Sequence, residues 1–380
     1  MKFKARKDAL EKALSRIEMI VPSKDMQALL SNILLTIEKE HVSVTASDME
    51  STVRVQVPAE QTEPGELIMR ARKVSEIARS IKSDEFIFSA EKMESVEGGE
   101  THFEVKVEGS GRSAARFKMA ASDRSSYPTL NLIPEDNLAS LPTGILAEML
   151  RKTIYAISQE DNRYIYNGIC FQSNGNKIVL VGTDGRRLSA ITRELPSPVS
   201  LNEEGHDIVV HAKAIRELQK LLDFSEEAFV GVQQRDIFFR IGDAELSSRL
   251  LEGKFPDYKK VIPVSEPIRI AVGREVLLDS LNQVKVMSEP PSHQVRLRIH
   301  EGSMTLRAHT PELGEAESSF PIEYDGEELE IAFNALYMLD ILRSLDSTTI
   351  TLGLNDAQKP VVIRDNEDPD FIALVMPMKL

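Results

Sequence analysis

The sequence predicts an α+β chain of three repeated domains, each with two helices packed on antiparallel sheets. Three observations lead there. A pair of alternating strands around a short turn recurs three times, an amphipathic helix stands on each side of every pair, and 380 residues exceed what one ordinary core uses.

The strand pairs set the register of the repeat. Residues 42–57, VSVTASDMESTVRVQV, and 178–195, IVLVGTDGRRLSAITREL, each lead an alternating strand through a small residue and an Asp turn into a second strand. Residues 303–320, SMTLRAHTPELGEAESSF, are a looser third version with Thr310, Pro311 and Glu312 at the turn. The copies lie about 130 residues apart, a domain-sized period rather than a solenoid one.

Helices are expected before each pair at 8–21, 144–158 and 273–288, and after each at 71–82, 211–224 and 333–346. In the first, Leu10, Leu14, Ile17 and Val21 fall on one stripe. Such stripes need an apolar partner, so the helices cover sheet faces. Further strands close the copies at 115–121, 245–253 and 371–377. The boundaries that follow are 1–137, 138–266 and 267–380.

Reactive chemistry is hard to find. Phosphate-loop, dinucleotide, zincin, C-x-x-C and nucleophile-elbow patterns are missing. VEGSGRSA, 107–114, lacks the lysine and following helix of a phosphate cradle and reads as a hairpin turn. The histidines are scattered without ligand spacing. The acid-rich stretches DNEDPD and DFSEE read as solvated turns in preference to Mg²⁺ sites. Cys170, the single cysteine, excludes an internal disulfide and sits in the apolar NGICFQ as a buried structural thiol. No charged-then-apolar leader and no bilayer-length apolar run occur, so a soluble cytoplasmic protein without a membrane partner is expected. No enzyme, cofactor or metal is expected.

Net charge is −14, from 46 basic and 60 acidic side chains, which argues against coating nucleic acid by bulk charge. Over the six helices, however, basic residues outnumber acidic ones. In KAIRELQK, Lys213, Arg216 and Lys220 share one face while Ile215, Leu218 and Leu222 share the other. The expectation is a basic helical surface on an acidic body, able to hold a phosphate backbone without reading sequence.

Three such repeats, TDGRRLS in the second and the ending VMPMKL resemble the bacterial sliding clamp family, the β subunit of DNA polymerase III. MKF, LLSNILL, ASDRSSYP, YNG, GKFPDY and FNALYMLDIL are similar to that family at matching places, so the resemblance covers the whole chain. It implies a head-to-tail homodimer whose six domains form a ring around duplex DNA, with twelve helices lining the hole and no sequence specificity. It further implies tethering of the polymerase α subunit, the clamp loader and other replication and repair proteins, for processivity, at the nucleoid.

By the same resemblance, GTDGRRLS is one wall of a hydrophobic cleft for partner peptides. The matching positions are Tyr166, Thr183, Gly185, Arg186, Arg187, Leu188, Pro256, Lys260, Val261, Asn334, Tyr337, Val361 and the tail Leu374, Val375, Met376, Pro377, Met378, Lys379 and Leu380. The arginines and Asn334 are expected to hold the peptide backbone, and the apolar residues its side chains. Lys24 and Tyr164 match DNA-contacting loops. Arg116, Phe117 and Met119, with Arg112 and Lys118 beside them, face Val286, Met287, Glu312, Glu315 and Glu317 across the implied dimer contact. Arg186 stands where the family often has His, Tyr166 where Leu is frequent, and Ser292 where an aromatic can sit. The competing readings are a metal-dependent nucleic-acid enzyme, which Mg²⁺-dependent nuclease activity would reveal, and a sequence-specific DNA-binding protein, which competition between duplexes would reveal.

Overall fold

Alternating side chains and tight turns build sheets here, and the sheets are sewn across the repeats. The computed structural model describes residues 1–18, 20–21, 30–93, 101–109, 115–127, 138–199, 201 and 207–379. Among them each repeat has one strand, a helix, four strands, a second helix and three closing strands. The six helices are α1 (Lys7–Ile17), α2 (Ala71–Ser80), α3 (Thr143–Ile154), α4 (Ala212–Leu221), α5 (Arg274–Val284) and α6 (Ala335–Ser344). All six expected helices are present. All six are shorter than expected: α1, for example, ends at Ile17, leaving Val21 beyond its stripe, and α5 passes into a 3-10 turn at Lys285–Met287.

The chain forms two compact units. One holds Met1–Gly144 and Arg216–Leu250, the other Ile145–Ile215 and Leu251–Leu380. The middle repeat is thus shared between them, and the strand pairing explains why. In the first unit a 12-stranded sheet ends its first-repeat part at Ser51–Glu63, which pairs with Ala244–Arg249, the closing strand of the second repeat. In the second unit an 8-stranded sheet pairs Arg187–Glu194 with Phe371–Val375, the closing strand of the third repeat. The operation is the same both times: the second hairpin strand of one repeat takes the closing strand of the next. A 4-stranded sheet of the third repeat completes the second unit, with Gly314–Pro321 and Leu329–Asn334 at its edges. The expected hairpin at VEGSGRSA joins the antiparallel strands His102–Gly109 and Arg116–Ser122, while residues 110–114 of its turn lie outside the described residues.

Helix stripes supply the cores. Leu10, Ala13, Leu14 and Ile17 of α1 and Ala71, Val74 and Ala78 of α2 are buried in the first unit. Ile215, Leu218 and Leu222 are buried as expected, with Arg216 exposed on the other face. Cys170 lies in the core of the second unit, and burial pushes its thiol up to about 12, so it is no nucleophile at neutral pH.

Two readings of charge need correction. The acid-rich DNEDPD is a solvated turn only in part: Asn366, Glu367, Pro369 and Asp370 are exposed, but Asp365 is buried and Asp368 nearly so, because both meet Lys152 of α3, at 3.7 and 2.8 Å. Arg193 joins from its strand, 2.8 Å from Glu148 and 2.5 Å from Asp368. Correspondingly, not every basic helix residue feeds a basic surface. Lys152 is spent in this network, and Arg16 is buried against Asp243 at 2.5 Å and over the Phe224 ring. Burial opposes ionisation of Glu148 and Asp368, yet hydrogen bonds from Arg193 and Lys152 outweigh it and hold both carboxyls below their usual values of 4.5 and 3.8.

The sign follows from linkage. Carboxyls depressed in the folded state contribute stability above their ordinary values and lose it as pH falls through the folded ones. Urea midpoints are therefore expected to stay level through neutral pH and to drop below about pH 4.5 as these carboxyls protonate. Lys152→Met strands Glu148, Asp365 and Asp368 around Arg193 alone and is expected to cost roughly 3 kcal/mol at pH 7, with a shallower acid limb. An unchanged midpoint at pH 7 would show that the network is solvated in solution.

Candidate functional site

The stretch GTDGRRLS turns on its own side chains. Asp184 Oδ1 accepts the main-chain N–H groups of Arg186 and Arg187 at 2.8 and 2.9 Å, while Thr183 Oγ1 donates to the Arg187 carbonyl at 2.7 Å and accepts from Gly185 N–H at 3.1 Å. This places Gly185 at φ +82°, where a Cβ is disfavoured. The first repeat builds the same corner from different residues. Asp48 Oδ1 accepts from Glu50 and Ser51 N–H, Ser47 Oγ donates to the Ser51 carbonyl, and Met49 takes φ +78°. Each corner then binds its incoming closing strand through one carbonyl, Glu50 to Arg249 N–H at 2.8 Å and Arg186 to Met376 N–H at 2.8 Å. The corner is therefore a property of the repeat, and only its side chains distinguish the second copy.

Those side chains divide sharply. Arg187 is held by Asp184 at 3.1 Å and by Asp340 of α6 at 2.6 Å, with its guanidinium 4.6 Å from the Tyr337 ring centre and 5.8 Å from that of Tyr155. Only 10% of its side chain is exposed. Asn334 is likewise committed, accepting Leu336 N–H at 2.9 Å as the N-cap of α6. Of the polar groups expected to hold a peptide, Arg187 and Asn334 thus fix the wall itself. Arg186 is exposed, with the neutral Tyr337 side chain near its guanidinium. Asp184, Asp340 and Tyr155 escaped the sequence reading. The Asp of the turn was visible in TDG, and Asp340 lies one helical turn beyond Tyr337, but nothing in the sequence paired either with Arg187.

The tail is anchored by its backbone. Leu374 and Val375 are buried strand residues opposite Leu188 and Arg187, and Val361 is buried opposite Val375. Beyond them the chain leaves the sheet. Met376 N–H bonds to Arg186, Met378 N–H to the Ala332 carbonyl at 2.7 Å, and the Lys379 carbonyl accepts from Gln294 Nε2 at 2.8 Å. The side chains stay available: Met376 is 36% exposed, Pro377 and Met378 are half-buried, and Lys379 is exposed. Leu380 lies outside the described residues. Phe255 and Tyr258 pack in one cluster with Leu188 and Leu374, with Ile165 against it. Their chain neighbours Pro256, Val261 and Tyr166 are half-buried or exposed, and Lys260 is exposed beside Asp257. Leu188, Val361, Leu374 and Val375 are thus floor, while Tyr166, Pro256, Val261, Tyr337, Met376, Pro377 and Met378 offer surface.

The remaining candidates are placed as follows. Lys24 and Arg112 lie outside the described residues, and Tyr164 is half exposed. Arg116 and Lys118 are exposed on Arg116–Ser122, next to Glu108 and Glu104 of the neighbouring strand. Phe117 and Met119 are half-buried on the opposite face, where Met119 lines a small cavity with Leu10 and Val74. Val286 is 70% exposed, Met287 is half-buried, Glu312 and Glu317 are exposed, and Glu315 pairs with Arg307 of its own sheet.

Family models for the N-terminal, central and C-terminal domains of the DNA polymerase III β subunit match residues 1–131, 140–257 and 259–379. Each repeat is thus one domain of a replicative sliding clamp, a class of processivity factor with no catalytic chemistry of its own. The β sliding clamp of Pseudomonas putida is 30% identical over 384 residues, covering all of both chains. The crystal structure of the β subunit from Pseudomonas aeruginosa superposes with a TM-score of 0.90 at 30% identity over 100% of both chains, and that of the same organism's clamp bound to griselimycin with 0.89. The chain belongs to the bacterial β sliding clamp family.

The corner geometry makes a local test available. Gly185→Ala puts a Cβ at positive φ and is expected to cost about 1 kcal/mol in urea unfolding, with Gly185→Asn costing less. Equal midpoints for all three proteins would mean that the turn does not hold this conformation.

Proposed function

We propose that the protein acts as a ring of two chains, closed head to tail around duplex DNA without reading its sequence, and tethers the polymerase α subunit, the clamp loader and other motif-bearing replication and repair proteins through the tail and hairpin corner. The proposed domains are 1–137, 138–266 and 267–380, and the proposed location is the cytoplasm, at the nucleoid.

The observation that carries the ring is a pair of unfilled places in the sewing. Among the described residues Gly314–Pro321, the second hairpin strand of the third repeat, is an edge strand, and Arg116–Ser122, the closing strand of the first repeat, pairs on its second side only at Ser122 with Ile68. Applied a third time, the operation joins the third repeat of one chain to the first repeat of another. A heterologous contact needs complementary edges. Arg116 and Lys118 would meet Glu315 and Glu317, with Val286 and Met287 beside them, since their turn packs against Gly314–Pro321. Arg72, Lys73 and Arg79 of α2 and Arg216 of α4 supply exposed cations for phosphate, with Lys24 and Tyr164 as loop contacts.

The deciding experiment is retention after loading. The protein should stay on circular duplex DNA and be lost when the circle is linearised, because a closed ring leaves only over an end. Equal loss from both would overturn the ring.

Removing residues 376–380 tests the docking surface. Met376, Pro377 and Met378 are partly covered already, so the loss should lie near the low end for two apolar side chains, about 3 kcal/mol or roughly two orders of magnitude in affinity. The measurement is fluorescence polarisation with a short Gln/Leu/Phe peptide, and sedimentation should still give a dimer. Full binding by the truncated protein would place docking elsewhere.

A further inference from the structure

The two joints within the chain share a buried ion pair that is placed by one rule. The first helix of every repeat opens on the same bond, from Lys7, Thr143 and Arg274 N–H to the carbonyls of Asp84, Glu226 and Thr348. Counted from these, the same place in α1, α3 and α5 is held by Arg16, Lys152 and Gln283. Arg16 and Lys152 are buried, and each meets an aspartate of the turn that leads into its incoming closing strand, Asp243 at 2.5 Å and Asp368 at 2.8 Å. Where the third joint would form, both halves of the pair are missing. Gln283 is uncharged and exposed, and its Oε1 accepts from Ser318 Oγ of its own repeat at 3.2 Å. The turn into Arg116–Ser122, residues 110–115, contains no acidic residue. Two residues before Asp84 and Glu226 stand Lys82 and Phe224, so the ring that lies under Arg16 at the first joint is replaced by a cation.

Resting on the ring reading above, we infer that Gln283 and the acid-free turn leave the joint between chains without the latch of the other two, and that Gln283 sets how readily that joint parts. In a latched joint, a small separation leaves one charge still covered but without its partner, which is costly, so the joint resists its first movement. The charge-assisted hydrogen bonds of the pair act in the same direction. An amide opposite an uncharged turn offers neither effect. Backbone hydrogen bonds and exposed charges then hold the joint, and water replaces those exposed pairs at little cost. Lys82 would repel a cation entering the place of Arg16, so the first repeat is not built to receive one from α5.

The test is a double-mutant cycle on the full-length protein, read as the rate of subunit exchange between differently labelled dimers. Ala115 immediately precedes the closing strand Arg116–Ser122, as Asp243 precedes Ala244–Arg249. Gln283→Arg alone finds no acid across the joint, and Ala115→Asp alone finds no cation on α5, so each should change exchange by less than about twofold. Together they should slow it about fivefold to tenfold beyond the product of the single effects. Gln283→Lys with Ala115→Glu forms a second cycle, and thermal midpoints show whether each variant is folded. Exchange in the folded double variants that equals the product of the singles overturns the inference. An unmodified protein that stays monomeric at every concentration is a different result: it overturns the ring reading itself, and the inference with it.

Discussion

A β-strand with one unpaired edge leaves a row of N–H and C=O groups that must find partners, and this protein meets that demand by lending strands between repeats. Ser51–Glu63 receives Ala244–Arg249, and Arg187–Glu194 receives Phe371–Val375. Each joint is made of backbone hydrogen bonds in fixed register, so it resists sliding in a way that side-chain packing alone would not. The middle repeat pays for both joints, with one of its sheets committed to each neighbour, and it is for this reason that the chain's compact units cut through it. The same rule leaves one donor and one acceptor strand over at the two ends of the series.

Buried charge sits at the sewn joints. Arg16 reaches Asp243 beside the first, and Lys152, Glu148, Arg193, Asp365 and Asp368 span the second. Apolar residues of similar volume could fill such places at no loss of stability. An ion network, however, tolerates only one alignment, since a shifted strand would leave Lys152 buried without Asp368. The backbone ladder sets the register, and the charges penalise the alternatives.

Much of this was legible in the sequence, and the failures have a common cause. Alternation and 3.6-residue periodicity are local, so the three hairpins and six helices could be read directly, as could the burial of Cys170. Which strand pairs with which is not local. DNEDPD carries the composition of a solvated turn, and only the arrival of Lys152 and Arg193 from the preceding repeat draws Asp365 and Asp368 inward. For the same reason Arg186 and Arg187 looked equivalent in TDGRRLS: their difference lies in Asp340, more than a hundred residues away. The proposed cleft residues come only from resemblance, because Leu188, Val361 and Leu374 have the sequence signature of any core strand.

The proposed docking surface lies where the second joint stops. At the first joint the chain continues past Arg249 into Leu250, which is tied back to Arg235, and Met49 and Glu50 of that corner stay exposed. At the second joint the chain leaves the sheet after Val375. Residues 376–379 cross from the Arg186 carbonyl to Ala332 and Gln294, on the edge and neighbouring strands of the 4-stranded sheet, using backbone groups as the fixings. Backbone anchoring satisfies the polar groups of the tail without using its side chains, so Met376, Pro377 and Met378 are ordered yet incompletely covered. An apolar surface ordered in advance loses little freedom on binding, and unbranched Met can adjust to ligands of different shape. Under the proposed docking, a surface with these two properties would suit many partners in turn.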